Sequence, residues 1–300
     1  MNIKGDDRPG PSQRSRAGRR GPRRGWPICI LAVALAASPG RAVAQPRVVS
    51  INLCTDQLVL ALGEAWQIAG LSRFSRNAEM SFLAARAAGY PSLRGSAEEV
   101  LQLKPDLVLA GAYSGRATRA VLGASGMRVE TFAPPETIAA ARSEIERMAA
   151  LLGRREPGAA LVAEIDRAVA EAATLKAGRP AISALAIQRR GFVLGEATLL
   201  STAMAAAGFA NASAPLGISS IGRASLEAIV KLKPDVLVLE DLPVSRDQSS
   251  ALLHHPLLAR AGIGVRVLKL PVAEVTCGGP SLPSLIRRLV VEARALGVRD

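Results

Sequence analysis

The sequence predicts an α/β fold: two Rossmann-like lobes with central parallel sheets, joined by one long α-helix. Three observations lead there. Short apolar β-type runs alternate with helical segments on both sides of the chain's middle, a pattern that argues for parallel sheets covered by helices. The middle itself, 136–177, is rich in Ala, Leu, Glu and Arg and reads as consecutive helices. One helix-to-strand unit also occurs twice: SAEEVLQLKPDLVLA from Ser96 to Ala110 and SLEAIVKLKPDVLVL from Ser225 to Leu239. At a constant offset of 129 they agree at Ser96/Ser225, Glu98/Glu227, Leu103/Leu232, Lys104/Lys233, Pro105/Pro234 and Asp106/Asp235.

The N-terminal 44 residues stand apart from this frame. Arg14, Arg16, Arg19, Arg20, Arg23 and Arg24 precede the uncharged run ICILAVALAA, which is too short to span a bilayer as a helix. Ala42-Val43-Ala44 then offers the small residues that a signal peptidase accepts, so residues 1–44 are expected to be a cleaved secretory signal. Cys29 stands at the start of the apolar run, as its second residue, instead of closing it, which argues against a lipoprotein. The leader holds nine of the basic and two of the acidic residues, so the net charge of +13 falls to +6 in the mature chain. With no basic cluster left on any one segment, nucleic acid is not an expected partner.

Each element then follows in order. Arg47–Ile51 is a β-type run, Thr55–Gly63 a helix and Gln67–Leu71 a second strand. Ala78–Ala88 reads as helical by composition. Ser96 is the N-cap of a short helix over Glu98–Leu103, with Glu99 at the capping-box position. Pro105 ends that helix, and Asp106–Ala110 is suited to a buried strand. A helix over Arg116–Ala124 and a strand over Arg128–Phe132 complete a lobe assigned to residues 45–155. Gly153 and Pro157-Gly158 interrupt the helical middle, and an apolar stripe from Leu161 to Leu175 marks the connecting helix at 156–178, about 30 Å long. The second lobe, 179–300, begins with a strand at Ala181 and a helix over Leu199–Ala207. The repeated unit, a strand over Val265–Leu270 and a final helix over Leu282–Leu296 follow.

Ligands of parallel α/β sheets lie beyond the C-terminal ends of the strands. That rule selects Asn52, Cys54 and Thr55, then Arg73, Phe74 and Arg76, and Tyr113 from the first lobe. From the second it selects Gln188, Arg189 and Arg190, Asp241, and Cys277 with Gly278. The four arginines suit bidentate recognition of carboxylates or catecholates on an anionic ligand. Cys54 and Cys277 are the only cysteines outside the leader. An inter-lobe disulfide, a soft-metal pair and two ordinary turn residues are the alternatives. Two free thiols are the expectation, because a disulfide would pin a cleft shut. Catalytic equipment is poor: the two histidines, His254 and His255, are adjacent and precede Pro256, and no G-x-S-x-G, P-loop or H-E-x-x-H occurs. The same scarcity of histidine argues against a bare zinc site.

An exported chain of two α/β lobes with LKPD at both places, VVSINLCTDQLVLALG at Val48 and CGGP at Cys277 resembles the solute-binding proteins of ABC importers for iron–siderophores, haem and cobalamin. The resemblance implies a monomeric periplasmic protein, not an enzyme and without a cofactor of its own. It would take a metal chelate between its lobes, with little hinge motion, and deliver it to a permease dimer in the inner membrane. It also implies that Glu98 and Glu227, one per lobe, dock onto arginines of the two permease subunits. Aromatic residues are few, a departure from what a flat macrocycle such as haem or a corrin needs. An exported α/β hydrolase, or a ligand-sensing scaffold on the same fold, is the alternative function.

Overall fold

A computed structural model describes residues 45–113, 115–241 and 265–297. The expected signal segment, His254 and His255 lie outside them. The first sheet draws on β1 (Val48–Ser50), β2 (Ile68–Ser72), β3 (Ser92–Leu93), β4 (Leu107–Gly111) and β5 (Val129–Phe132). Interleaved are α1 (Leu53–Leu62), α2 (Ala84–Ala87), α3 (Ala97–Gln102) and α4 (Arg116–Ala124). The strand order is β3-β2-β1-β4-β5 and every pairing is parallel. Such a sheet needs cover on both faces, and β1, β2 and β4 are buried at every position.

The helical middle forms α5 (Ile138–Leu152) and α6 (Arg155–Lys176). Gly153 alone makes the break, at a φ of 68°, with its N–H turned back to the last carbonyls of α5. Pro157 and Gly158, expected to interrupt, lie instead near the start of α6. A proline in the first turn has no intrahelical N–H bond to lose. A Cβ on Gly158 would collide with that of Ala149, so the glycine lets α5 and α6 pack closely.

The second half holds β6 (Ile182–Gln188), β7 (Phe192–Leu194), α7 (Leu199–Ala207), β8 (Phe209–Asn211), β9 (Ile221–Arg223), α8 (Leu226–Leu232) and β10 (Val236–Asp241). After the segment outside the described residues come β11 (Arg266–Pro271), α9 (Val272–Val275) and α10 (Leu282–Gly297). The sheet runs β11-β10-β6-β7-β9, with β8 also on β6. It is mixed, not purely parallel as expected, because β7 is antiparallel to β6 and to β9. Arg190 and Gly191 cause this: φ values of 63° and 70° reverse the chain between Gln188 and Phe192, making a hairpin where a helical crossover was expected. A second correction concerns Ala78–Ala88. Its alanines favour helix, but Asn77 gathers Met80 and Ser81 N–H on its carbonyl and Glu79 N–H on its side chain, so only α2 is helical.

The repeated unit proves to be the same structure twice. Ser96 and Ser225 each cap the following short helix through their hydroxyls. Lys104 and Lys233 both adopt left-handed backbone, with φ values of 47° and 49°, as the residues that close α3 and α8. The next residue is a proline in both copies, which cannot continue a helix. Burial follows one pattern from Leu101 to Ala110 and from Val230 to Leu239. The aspartates carry the register: Asp106 accepts the backbone N–H of Arg47 at 2.8 Å, and Asp235 that of Ser183 at 3.0 Å. Each thereby ties the repeated strand to its inner neighbour, β4 to β1 and β10 to β6.

One apolar cluster joins the halves. It includes Val48 and Leu60 from the first lobe, Ile145 and Ile165 from α5 and α6, Met204 from α7, and Ile286 and Leu289 from α10. Smaller clusters cover the other face of each sheet, Val49, Val100, Val108 and Leu122 in one and Leu185, Ile187, Ile229 and Leu237 in the other.

Left-handed backbone costs a residue with a side chain about 1–2 kcal/mol, against roughly 0.5–1 kcal/mol for the extra entropy glycine loses. Lys104→Gly and Lys233→Gly, both at exposed positions, should therefore leave the protein as stable as the parent or up to about 1 kcal/mol more stable. Urea denaturation reads the difference, and a loss of 1 kcal/mol or more in either variant would contradict the strain argument.

Candidate ligand-binding cleft

The segment after β1 builds one wall of the cleft from a cap and a buried polar network. Asn52 caps α1, its Oδ1 accepting from the N–H groups of Cys54 at 2.9 Å and Thr55 at 3.4 Å. The Thr55 hydroxyl lies 2.7 Å from that of Ser50 and donates to the Asn52 carbonyl at 2.9 Å. Asp56, with no exposed surface, accepts from the Ser72 N–H at 3.1 Å and from the Ser72 hydroxyl. These bonds fix the start of α1 against the ends of β1 and β2, which leaves Cys54 at the cleft.

Cys54 is bonded to Cys277, 223 residues later, with 5.2 Å between their Cα atoms. The expectation of two free thiols is thus overturned. The turn that carries Cys277 is brought against the first lobe by glycine packing, and the two Cα atoms come within the roughly 4.4–6.8 Å that a disulfide spans. Beside the bridge lies a cavity of about 190 Å³ lined by Asn52, Cys54, Thr55 and Tyr113 together with Cys277 and Gly278. Six of the expected residues therefore meet at one place. Tyr113 is 87% exposed at this site.

The remaining expected residues stand apart from that cavity. Arg73 lies with its guanidinium 4.9 Å from the ring centroid of the half-exposed Phe74, and Arg76 donates to the Tyr90 carbonyl. Arg189 and Arg190 occupy the exposed tip of the β6–β7 hairpin, and Asp241 is exposed at the end of β10. Gln188 donates to Glu240 at 2.8 Å, and burial pushes the Glu240 carboxyl above its ordinary range. Sequence reasoning missed the lining residues Phe132, Pro134, Pro135 and Glu144. The first three lie at or just past the C-terminal end of β5, where the strand-end rule reaches them when applied to that strand as well. Glu144 comes from α5 and carries no such signal.

A larger cavity, about 790 Å³, lies at the opposite, N-terminal ends of the second sheet's strands, against the starts of β6, β8 and β11. Two of its basic side chains serve backbone carbonyls, Lys176 that of Ala205 and Arg266 that of Leu296. It takes no part in the cleft. Among the described residues, no group of three or more His, Cys, Asp and Glu is placed to hold a metal ion.

Burial raises the Asp56 carboxyl to about 7, against partial relief from its hydrogen bonds to Ser50 and Ser72. A group that holds its proton more tightly in the fold than in the unfolded chain gives stability that is complete below about pH 4 and is lost as the pH rises through about 7. Asp56→Asn can keep the Ser72 contacts without a charge. It should be more stable than the parent at pH 8 by about 1–3 kcal/mol, with the gap closing toward pH 4. Urea midpoints at both pH values check this, and a constant difference would mean that Asp56 does not titrate in this range.

Residues 48–262 match the family of periplasmic binding proteins. Among solved structures, the apo periplasmic haem-binding protein RhuT of Roseiflexus sp. RS-1 is similar, with a TM-score of 0.70 and 26% identity over 84% of this chain and 98% of that one. A periplasmic haem-binding protein of Pseudomonas aeruginosa gives a TM-score of 0.66 and 24% identity, covering 82% and 92% of the two chains. The periplasmic vitamin B12-binding protein BtuF of Vibrio cholerae gives 0.65 and 15%, covering 85% and 99%. The last two likenesses speak to fold alone. No curated protein sequence matches the chain. The two α/β halves, the helix between them and the matched span together place the chain in the periplasmic binding protein family.

Proposed function

We propose that this protein captures a metal chelate in the periplasm, as a monomer, and delivers it to the permease dimer of an ABC importer. The observation that carries the reading is the convergence on one cavity of strand-end turns from the first lobe and the Cys277–Gly279 segment from the second, in a chain of this family. At about 190 Å³ the cavity is smaller than the roughly 300–1,000 Å³ that encloses a drug-sized ligand. A chelate would therefore stand on this floor and extend beyond it.

Of the three chelate classes, ferric siderophore, corrinoid and haem, haem is the first candidate. RhuT, at 26% identity, binds it, and the exposed Tyr113 phenol at the cavity has the oxygen that a ferric porphyrin takes as an axial ligand. Haemin titrated into the mature protein should give a saturable change in its absorption, and Tyr113→Phe should weaken binding by about tenfold or more. Retention of full affinity by Tyr113→Phe removes the axial role. A parent protein that ignores haemin but binds a ferric siderophore, less tightly as salt rises, returns the reading to the arginines.

Docking is assigned to Glu98 and Glu227. Both are exposed in the first turns of equivalent helices, and a hydrogen bond from Ser225 holds the Glu227 carboxylate below its ordinary range, so it stays charged at neutral pH. A carboxylate in a first turn stabilises its helix by about 0.3–1 kcal/mol whether or not it docks. The variant carrying Glu98→Ala and Glu227→Ala should keep its chelate affinity and most of its stability, while association with the permease falls by at least about tenfold. Normal transport by that variant leaves the glutamates with their helix-end role only.

A further inference from the structure

The sequence segment Cys277-Gly278-Gly279 has a second role that the capture of a chelate does not explain. Its backbone is wedged between the two lobes. A Cβ on Gly278 would stand 2.6 Å from Pro135 Cγ, just past β5 in the first lobe, and 2.5 Å from Leu199 Cδ2, on α7 of the second. A Cβ on Gly279 would stand 3.1 Å from Leu58 Cδ2 on α1. The turn is itself held firmly. The buried Ser281 hydroxyl lies within hydrogen-bond distance of the Glu274 carbonyl, 3.0 Å, and the Cys277 carbonyl, 3.1 Å. The Glu274 carboxylate receives Arg288 through Nε at 2.8 Å and Nη2 at 2.9 Å. On this turn Cys277 meets Cys54, the second residue of α1.

We propose that the Cys54–Cys277 bridge, seated by Gly278 and Gly279, is a clamp that fixes the width of the cleft floor and so selects chelates by size. The selection rests on the chelate-binding reading; the clamp does not. On the far side of the lobes, α10 is packed on α6, with Arg287 paired to Glu171 at 3.2 Å and to Glu164 at 3.5 Å. The lobes are thus tied twice, along α6 and at the cleft floor. Rotation about α6 alone would widen the cleft, and the bridge, standing at the cavity, blocks that rotation. Specificity is a difference of affinities, and a floor that cannot spread excludes ligands that need it wider.

The experiment compares the mature parent with Cys54→Ser/Cys277→Ser. Thiol labelling of the unfolded, unreduced parent should find no free cysteine. The double variant should keep its far-ultraviolet dichroism, and its amide hydrogen exchange should quicken by about tenfold in peptides covering 52–55, 111–113 and 276–279. Affinities for haemin, cyanocobalamin and ferrioxamine B should then lie closer together, the spread shrinking by about tenfold. Should the double variant fail to fold, the parent reduced with a phosphine carries the same comparison. Two free thiols in the parent, or unchanged exchange once the bridge is gone, overturns the clamp. Faster exchange with the same spread of affinities overturns its role in selection. Faster exchange in a protein that binds none of the three chelates supports the clamp and removes the chelate reading instead.

Discussion

The apolar layer that α5, α6, α7 and α10 lay between the two sheets is the constraint on which the rest depends. Its side chains come from both lobes and form one contiguous cluster, from Val48 to Leu289. Each large aliphatic side chain removed from water contributes about 1.5–3 kcal/mol, so lobes that share such a layer cannot part along it without losing several such terms. The cleft on the other side is therefore largely preformed. Preformed sites gain affinity by avoiding the ordering cost that a mobile site meets on binding.

Polar groups do what this layer cannot, which is to set register and direction. Asp106 and Asp235 each hold the N–H at the start of a neighbouring strand. A parallel sheet whose faces are both apolar has little side-chain alternation to choose one register over another, and a fixed hydrogen bond at the strand start makes that choice. Asp56 acts similarly between α1 and Ser72, in a dry place, and its raised protonation is the consequence of that burial. Stability at neutral pH is given up there for the orientation of the turn that carries Asn52 and Cys54.

How much of this was legible depended on whether a signal was local. The LKPD units announced a capped helix, a stop and a buried strand in consecutive residues, and the structure places α3–β4 and α8–β10 there. Strands β7, β8 and β9 have three residues each, too few for a period of two to show. The Arg190-Gly191 reversal needs a left-handed arginine, which composition does not favour. At Ala78–Ala88 local propensity pointed to helix and the turn at Asn77 won, as tertiary context often overrides propensity. At the site, the strand-end rule found six of the cavity's lining residues but also selected Arg73, Arg76, Arg189 and Arg190, which stand apart from it, and it could not pair the cysteines. Their approach depends on the packing of Gly278 and Gly279 against Pro135, Leu199 and Leu58, which are distant in sequence.

The duplication also explains why a symmetric frame carries an asymmetric site. Val48 pairs with Leu107 as Ala184 pairs with Val236, and Arg47 and Ser183 receive the equivalent aspartates, so β1 and β6 are the same strand in two copies. Beyond that strand the copies part. β1 runs into the capped N-terminus of α1, which sets Cys54 at the cleft floor. β6 instead reverses through Arg190 and Gly191 into β7, which sets two arginines at an exposed tip. The units that keep their likeness, Ser96–Ala110 and Ser225–Leu239, keep Glu98 and Glu227 equivalent on the outer helices. The likeness is thus kept where Asp106 and Asp235 set strand register, and lost beyond the C-terminal ends of β1 and β6, where the cavity of one copy has no counterpart in the hairpin of the other.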